Sequence, residues 1–300
     1  MVLYLKEYAA QTQMNDNYFK ILKYYDKFPE YLHEMNTQDI IKAMNRNGSR
    51  GFYIQKAVIE QYLLWLNKNH QIDISQLYYE LRKQISSENF EFVGFYDFND
   101  LQQGIQDAEF TIETVSNVNK DYNGLYSIFY LEWLGVLPES ALTIKLEDVT
   151  DMGKSVYIPA ENRTIKIDNP VISEHFWKYK NMTGYKRTAN CKHETSYKQT
   201  TFYRTTRESE TKVKSVYNMR GIFVRDSSDE RFAKKRIYYS GRYYEMYQAE
   251  MSCGNEFSIT NNHTKQIIKE IYNNDNLSDI VITNILRDYK VYKKGYLERI

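Results

Sequence analysis

Tyr122–Ile167 reads YNGLYSIFYLEWLGVLPESALTIKLEDVTDMGKSVYIPAENRTIKI. Tyr122–Leu134 is apolar around most of a helical circumference, the pattern of a buried helix rather than a surface one. Gly135 suits the left-handed residue that ends such a helix. Pro138 is placed for the first turn of a short second helix, where its missing N–H costs nothing. A polar turn follows, then two short β-rich runs, Val156–Ile158 and Thr164–Ile167, predicted as strands. Buried helix, glycine stop, short helix and hairpin together predict a mainly α chain with a small β-sheet.

Toward the N-terminus, residues 1–88 read as all helix. Asn15–His33 is aromatic and helical, interrupted near Pro29. Thr37 is a candidate N-cap for a helix carrying Ile40, Ile41 and Met44 on one face. Asn45–Gly51 is a basic, glycine-punctuated turn. Behind it a periodic helix places Ile54, Val58, Ile59, Tyr62, Trp65 and Leu66 on one face, and Ser75–Ile85 adds another. Ser86–Asn89 is the expected linker, which divides the chain into 1–88 and 89–300. Beyond it Phe90–Phe98 is extended in character, Asn99 offers a cap for a helix through Glu109, and Thr111–Lys120 reads as a connection.

Toward the C-terminus, Pro170–Tyr179 reads as a helix and 183–236 as long polar loops. Arg236–Met251, Lys265–Tyr272 and Ile280–Asp288 complete the helices.

The chain has 300 residues, 42% hydrophobic and 26% charged, which is the balance of a globular protein of one large or two ordinary domains. Its 29 tyrosines suit an interface, and a codon-biased, AT-rich gene would produce them equally. No apolar run reaches the length of a membrane span, the N-terminus lacks a signal-peptide layout, and two cysteines give no disulfide framework. A cytoplasmic protein is expected. Net charge is only +1, yet Lys178–Arg242 holds 17 Lys/Arg against 6 Asp/Glu. Such asymmetry points to a nucleic-acid partner, with a solvated loop as the plain alternative.

The order of elements, and Leu125–Ile167 in particular, resembles the tyrosine recombinases, or phage integrases. The resemblance implies a two-domain fold: a helical, SAM-like core-binding module over 1–88 and an integrase catalytic-type domain over 89–300, closing around double-stranded DNA. In that family a tyrosine attacks a phosphodiester while arginines, a hairpin lysine and histidine-type donors stabilise the charge that develops and protonate the leaving oxygen. The family's first arginine falls here on Leu137, and its hairpin lysine falls near Ile158, with Lys154, Arg163 and Lys166 displaced around it. The His-x-x-Arg motif maps to Tyr239-Ser240-Gly241-Arg242, which keeps the arginine alone. The later histidine maps to Asn273-Asn274, and Tyr289 or Tyr292 stands where the nucleophile would. Each lost cation costs roughly 10²–10³ in rate.

The expectation is therefore a degenerate member without catalytic residues: a sequence-specific DNA-binding regulator, a repressor in a phage, prophage or mobile-element setting. The alternative is an active, divergent recombinase using Arg242 with Tyr289 or Tyr292. A third reading is an accessory subunit that caps an active recombinase. The expected DNA contacts are Arg46, Arg50, Arg163, Lys166, Lys234, Lys235, Arg236 and Arg242. Asn45–Arg50, just ahead of a helix, is a candidate phosphate grip, with a solvated turn as the equal alternative. No cofactor is expected. Cys191-Lys192-His193 is too small a fragment for a metal site. A homo-oligomer on DNA and a regulatory protein or peptide are the further partners considered.

Overall fold

The computed structural model describes residues 4–28, 30–45, 48–83, 92–115, 121–185, 195–204 and 211–299, without the side chains of 45, 48–51 and 115. The described residues are mainly helical and form two small antiparallel sheets. It divides into two compact units, Met1–Phe92 with Asp279–Arg299, and Val93–Ser278. The expected division into 1–88 and 89–300 therefore differs at the C-terminus, because the last helix packs with the first unit. Its Val291 is buried in the same apolar cluster as the N-terminal helices. Tyr292 meets Phe92 edge-on, and Arg287 lies over the Tyr53 ring at 4.5 Å. The expected linker at Ser86–Asn89 lies outside the described residues.

The first unit holds α1 (Leu5–Thr12), α2 (Asp16–Tyr24), α3 (Thr37–Asn45), α4 (Gly48–His70), α5 (Ser75–Lys83) and the C-terminal helix α13 (Asp279–Leu297). Asn15 caps α2 by accepting from the Asn17 amide at 2.8 Å. For α3 the cap is Asn36, which accepts from the Gln38 amide at 2.8 Å, and not Thr37, whose hydroxyl donates to Glu80 instead. The basic turn is shorter than expected, since α4 already begins at Gly48. The buried face of α4 is also rotated. Val58, Ile59, Tyr62 and Leu66 are buried as predicted, but Ile54 is exposed and Phe52 and Leu63 take its place. Lys56 is buried on α4 and donates to the Arg82 carbonyl at the end of α5, 3.3 Å away. Burial lowers its pKa, and Glu60 opposes that shift.

The second unit is built around α7 (Asn123–Trp133), whose residues from Gly124 to Trp133 are all buried. Around it stand α6 (Phe98–Val115), α8 (Pro138–Ala141), α9 (Pro170–Asn181), α10 (Val213–Ser227), α11 (Arg236–Cys253) and α12 (Asn262–Ile271). Asp97, not Asn99, caps α6 by accepting from the Asp100 amide, and α6 continues to Val115, into the stretch Thr111–Lys120 expected to be a connection, whose residues 116–120 lie outside the described ones. The first sheet has the order β1-β2-β3, with β1 (Val149–Thr150), β2 (Ser155–Ile158) and β3 (Arg163–Lys166). Val149 pairs with Val156, and Val156 with Ile165, so Val149, Val156 and Ile158 face the core. A second sheet pairs β4 (Gly184–Tyr185) with β5 (Thr195–Ser196). The rings of Phe129, Phe223 and Phe232 lie 5.0–5.4 Å apart at the centre of this unit.

The expectation of loops across 183–236 is corrected by α10, a helix of 15 residues. Its buried stripe is Val216, Arg220, Phe223 and Ser227, so half of the positions that reveal a helix are polar. Arg220 lies inside because Glu132 of α7 receives its Nη2 at 2.6 Å, with both side chains at most 2% exposed. Burial raises the Glu132 pKa, and Arg220 opposes it. Breaking such a pair from one side strands a charge in an apolar medium. Glu132→Ala is expected to lower the unfolding free energy by about 3–5 kcal/mol in urea melts. The joint change to Glu132→Leu and Arg220→Met should recover most of that loss.

His175 on α9 is enclosed by the rings of Tyr130, Phe176 and Tyr179, and its Nε2 stands 2.9 Å from the Ser127 hydroxyl. Burial lowers its pKa from 6.5 to about 4, against a smaller opposing contribution from the Asn123 backbone. In the unfolded chain this imidazole takes up its proton near pH 6.5; in the folded chain it resists until about pH 4. Stability therefore falls as pH drops from 6.5 toward 4, by on the order of 2–3 kcal/mol from this group. Urea melts of the His175→Gln variant across that range should lack this part of the slope.

Candidate nucleic-acid interface

Gly135 organises the candidate site. It ends α7 at φ +80, with the Val136 amide reaching back to the Leu131 carbonyl and the Gly135 amide to that of Glu132. These are the two bonds of a glycine-terminated helix end. A β-carbon on Gly135 would land on the guanidinium of Arg242. Close approach recurs at Gly241, where a β-carbon would strike the Trp133 carbonyl. Two glycines thus let α7 and α11 come together and let Arg242 pass between them.

The Arg242 side chain is buried. Its Nη1 donates to the Ile271 carbonyl of α12 at 2.7 Å; its Nη2 donates to the Trp133 carbonyl at 3.2 Å and to Glu245 at 2.6 Å. Its Nε has no hydrogen-bond partner among the described residues. Arg242, expected as a DNA contact, is placed inside the unit, where its donors serve two helix C-termini and a carboxylate. A buried cation requires such partners, and helix C-terminal carbonyls carry the partial negative charge that provides them.

The hairpin brings a second arginine to the same place. Asn162, at φ 47, turns the chain from β2 into β3. Arg163 then donates from Nε to Glu161 at 2.5 Å and from Nη2 to the Gly135 carbonyl at 3.3 Å. Burial raises the pKa of Glu245, and Arg242 and Arg163 both oppose the shift. Burial also raises the pKa of Tyr238, where the same two arginines are felt along with Glu161. Arg163, Arg242, Glu161, Glu245 and Tyr238 therefore form one electrostatic cluster about Gly135.

The remaining predicted contacts separate. Lys166 is exposed and faces Ser155 across the hairpin, next to the exposed Lys154. Lys234 is exposed, its Nζ 4.0 Å over the ring of Tyr217, whose hydroxyl donates to Glu139. Lys235 is half-buried and starts α11 in a left-handed conformation, φ 65. Arg236 is half-buried and donates to the Glu230 carbonyl at 3.0 Å. Arg46 and the side chain of Arg50 lie outside the described residues, as does Cys191-Lys192-His193. Of the residues named for an active alternative, Tyr289 and Tyr292 are buried in α13, in the other unit from Arg242. At the two positions where the resemblance implies cations, Leu137 is half-buried and Ile158 fully buried.

Sequence reasoning missed the carboxylates. Glu245 was within reach, because it stands three residues after Arg242 on a helix, the spacing of an ion pair. Glu161 was not, because only the turn at Asn162 brings it to Arg163. No group of histidine, cysteine and carboxylate side chains able to hold a metal occurs among the described residues. No helix among them is long and apolar enough to cross a membrane.

The chain matches no known protein-family model and no curated protein. Among solved structures it is similar to one described as the crystal structure of XerA recombinase. The TM-score is 0.41 and the sequence identity 11%, over 98% of this chain and 96% of that one.

Gly135→Ala combines positive-φ strain with a clash on Arg242. It is expected to destabilise the fold by about 2–4 kcal/mol. Gly221→Ala on α10, where a β-carbon meets nothing within 4 Å, is expected to stabilise by about 0.5–1 kcal/mol through helix propensity. Thermal melts of the two variants check the contrast.

Proposed function

We propose that this protein grips double-stranded DNA with the unit Val93–Ser278, on a tyrosine-recombinase-like scaffold whose strand-cutting chemistry has been lost. In this reading it acts as a regulator that occupies operator-like sites and represses transcription in a phage, prophage or mobile-element setting. The observation that carries the reading is the engagement of Arg242 with Ile271, Trp133 and Glu245. A guanidinium held by protein acceptors supports a scaffold and is not aimed at a transferring phosphoryl group. Leucine and isoleucine at the two other expected cation positions point the same way.

Binding needs less. Exposed lysines neutralise phosphates and release counterions without any preorganised geometry. Lys154 and Lys166 sit at one end of the hairpin and Lys234 before α11. These contacts set affinity and register, while a few side chains at base edges set sequence preference.

A second reading, an active divergent recombinase, draws on the convergence of Arg163 and Arg242 beside Tyr238. Incubation with target duplex followed by denaturing electrophoresis separates the two. The proposed reading expects no covalent DNA–protein adduct, and an adduct through Tyr238, Tyr289 or Tyr292 would establish the second.

The lysine assignment is tested by a salt series on duplex binding. Lys166→Ala and Lys234→Ala should each weaken binding, and each should reduce the slope of log affinity against log salt by about 0.9. An unchanged slope for both would remove these lysines from the interface.

A further inference from the structure

The cluster about Gly135 holds two arginines with different freedom. Arg242 is buried, with its two terminal nitrogens committed to three acceptors. Arg163 is not: its side chain is 28% exposed, its one neutralising partner at hydrogen-bond distance among the described residues is Glu161, and its contact with the Gly135 carbonyl is long, at 3.3 Å. Glu161 sits in the hairpin turn two residues earlier, its side chain 20% exposed. The pair thus belongs to a solvent-accessible turn, where an ion pair is weak enough to exchange partners. The carboxylate occupies the Nε side of the guanidinium, one edge of the planar fork that also suits a phosphate.

We infer that Glu161 is a built-in competitor for a phosphate at Arg163: a phosphodiester oxygen displaces the carboxylate from Nε while Gly135 and the buried Arg242 keep the site in place. The exchange is of one anionic acceptor for another, and no covalent bond changes. Binding of DNA is thereby held below what the site's cations could support, and Glu161 sets the margin. This inference rests on the reading that the unit binds duplex DNA, and its test separates the two.

Four proteins are compared: the unaltered chain, Glu161→Gln, Arg163→Ala and the double variant. Circular dichroism melts first establish that all are folded. Binding of a fluorescent 20-base-pair duplex is then measured across salt concentrations, and thermal shift is measured with inorganic tripolyphosphate. Glu161→Gln should bind the duplex about fivefold more tightly than the unaltered chain, with a salt slope steeper by about 0.9, as for one added phosphate contact. Arg163→Ala should abolish that gain, leaving the double variant no tighter than Arg163→Ala alone.

Equal gains in the presence and absence of Arg163 would mean that Glu161 acts only through net charge, and would overturn the inference. So would a Glu161→Gln protein that binds duplex like the unaltered chain. Should no version bind duplex, the DNA reading falls but the site is still read by tripolyphosphate. A melting shift larger in Glu161→Gln than in the unaltered chain, and lost with Arg163, upholds it; equal shifts in all four proteins reject it.

Discussion

Arg242 ties three helices of the second unit together. Its guanidinium sits where the C-terminal ends of α7 and α12 present carbonyls to the side of α11, and it donates to both. Without those partners a guanidinium could not be kept out of water; without the guanidinium, the two helix ends would face each other with like partial charges. The rest of the site inherits this arrangement. Gly135 has to lack a side chain because Arg242 occupies that space, and Gly241 because Trp133 does. Arg163 reaches the Gly135 carbonyl only because the left-handed end of α7 turns it toward the hairpin.

A buried ion pair, between Arg220 and Glu132, does the same for α10. Both ties converge on the last turn of one apolar helix, Glu132 and Trp133 being adjacent in α7. Buried charge in this unit is thus used to fix helix positions, while charge available to a polyanion lies on side chains that reach solvent: Arg163, the lysines of the hairpin end and the lysine of the turn before α11. That division separates a capacity to bind phosphate from a capacity to transform it. Binding tolerates long, mobile, exposed cations, whereas catalysis of phosphoryl transfer needs cations already aimed at the reacting group.

Much of this could be read from the amino-acid order. The burial of α7, the glycine stop, the proline start of α8 and the two longer strands follow from local pattern, because each is set by side chains within one or two turns. Arg163 and Arg242 were both nominated as DNA contacts, without the carboxylates that hold them. What escaped depends on distant partners. The helix α10 was hidden because Arg220 and Ser227 interrupt its apolar stripe, and only Glu132, 88 positions away, makes Arg220 a core residue. The association of α13 with the N-terminal unit was hidden because the position of a terminal amphipathic helix follows from the surface that receives Val291. Thr37 and Asn99 were misread as caps because an equally suitable asparagine or aspartate stands one or two residues earlier.

The most direct measurement is hydrogen–deuterium exchange of the whole protein with and without a duplex carrying its preferred sequence. The account predicts slowed exchange in the hairpin, residues 154–166, and in the approach to α11, residues 228–239. It predicts little change in the interior of α7, which is already protected. Protection that leaves both surface segments unaffected would contradict the account.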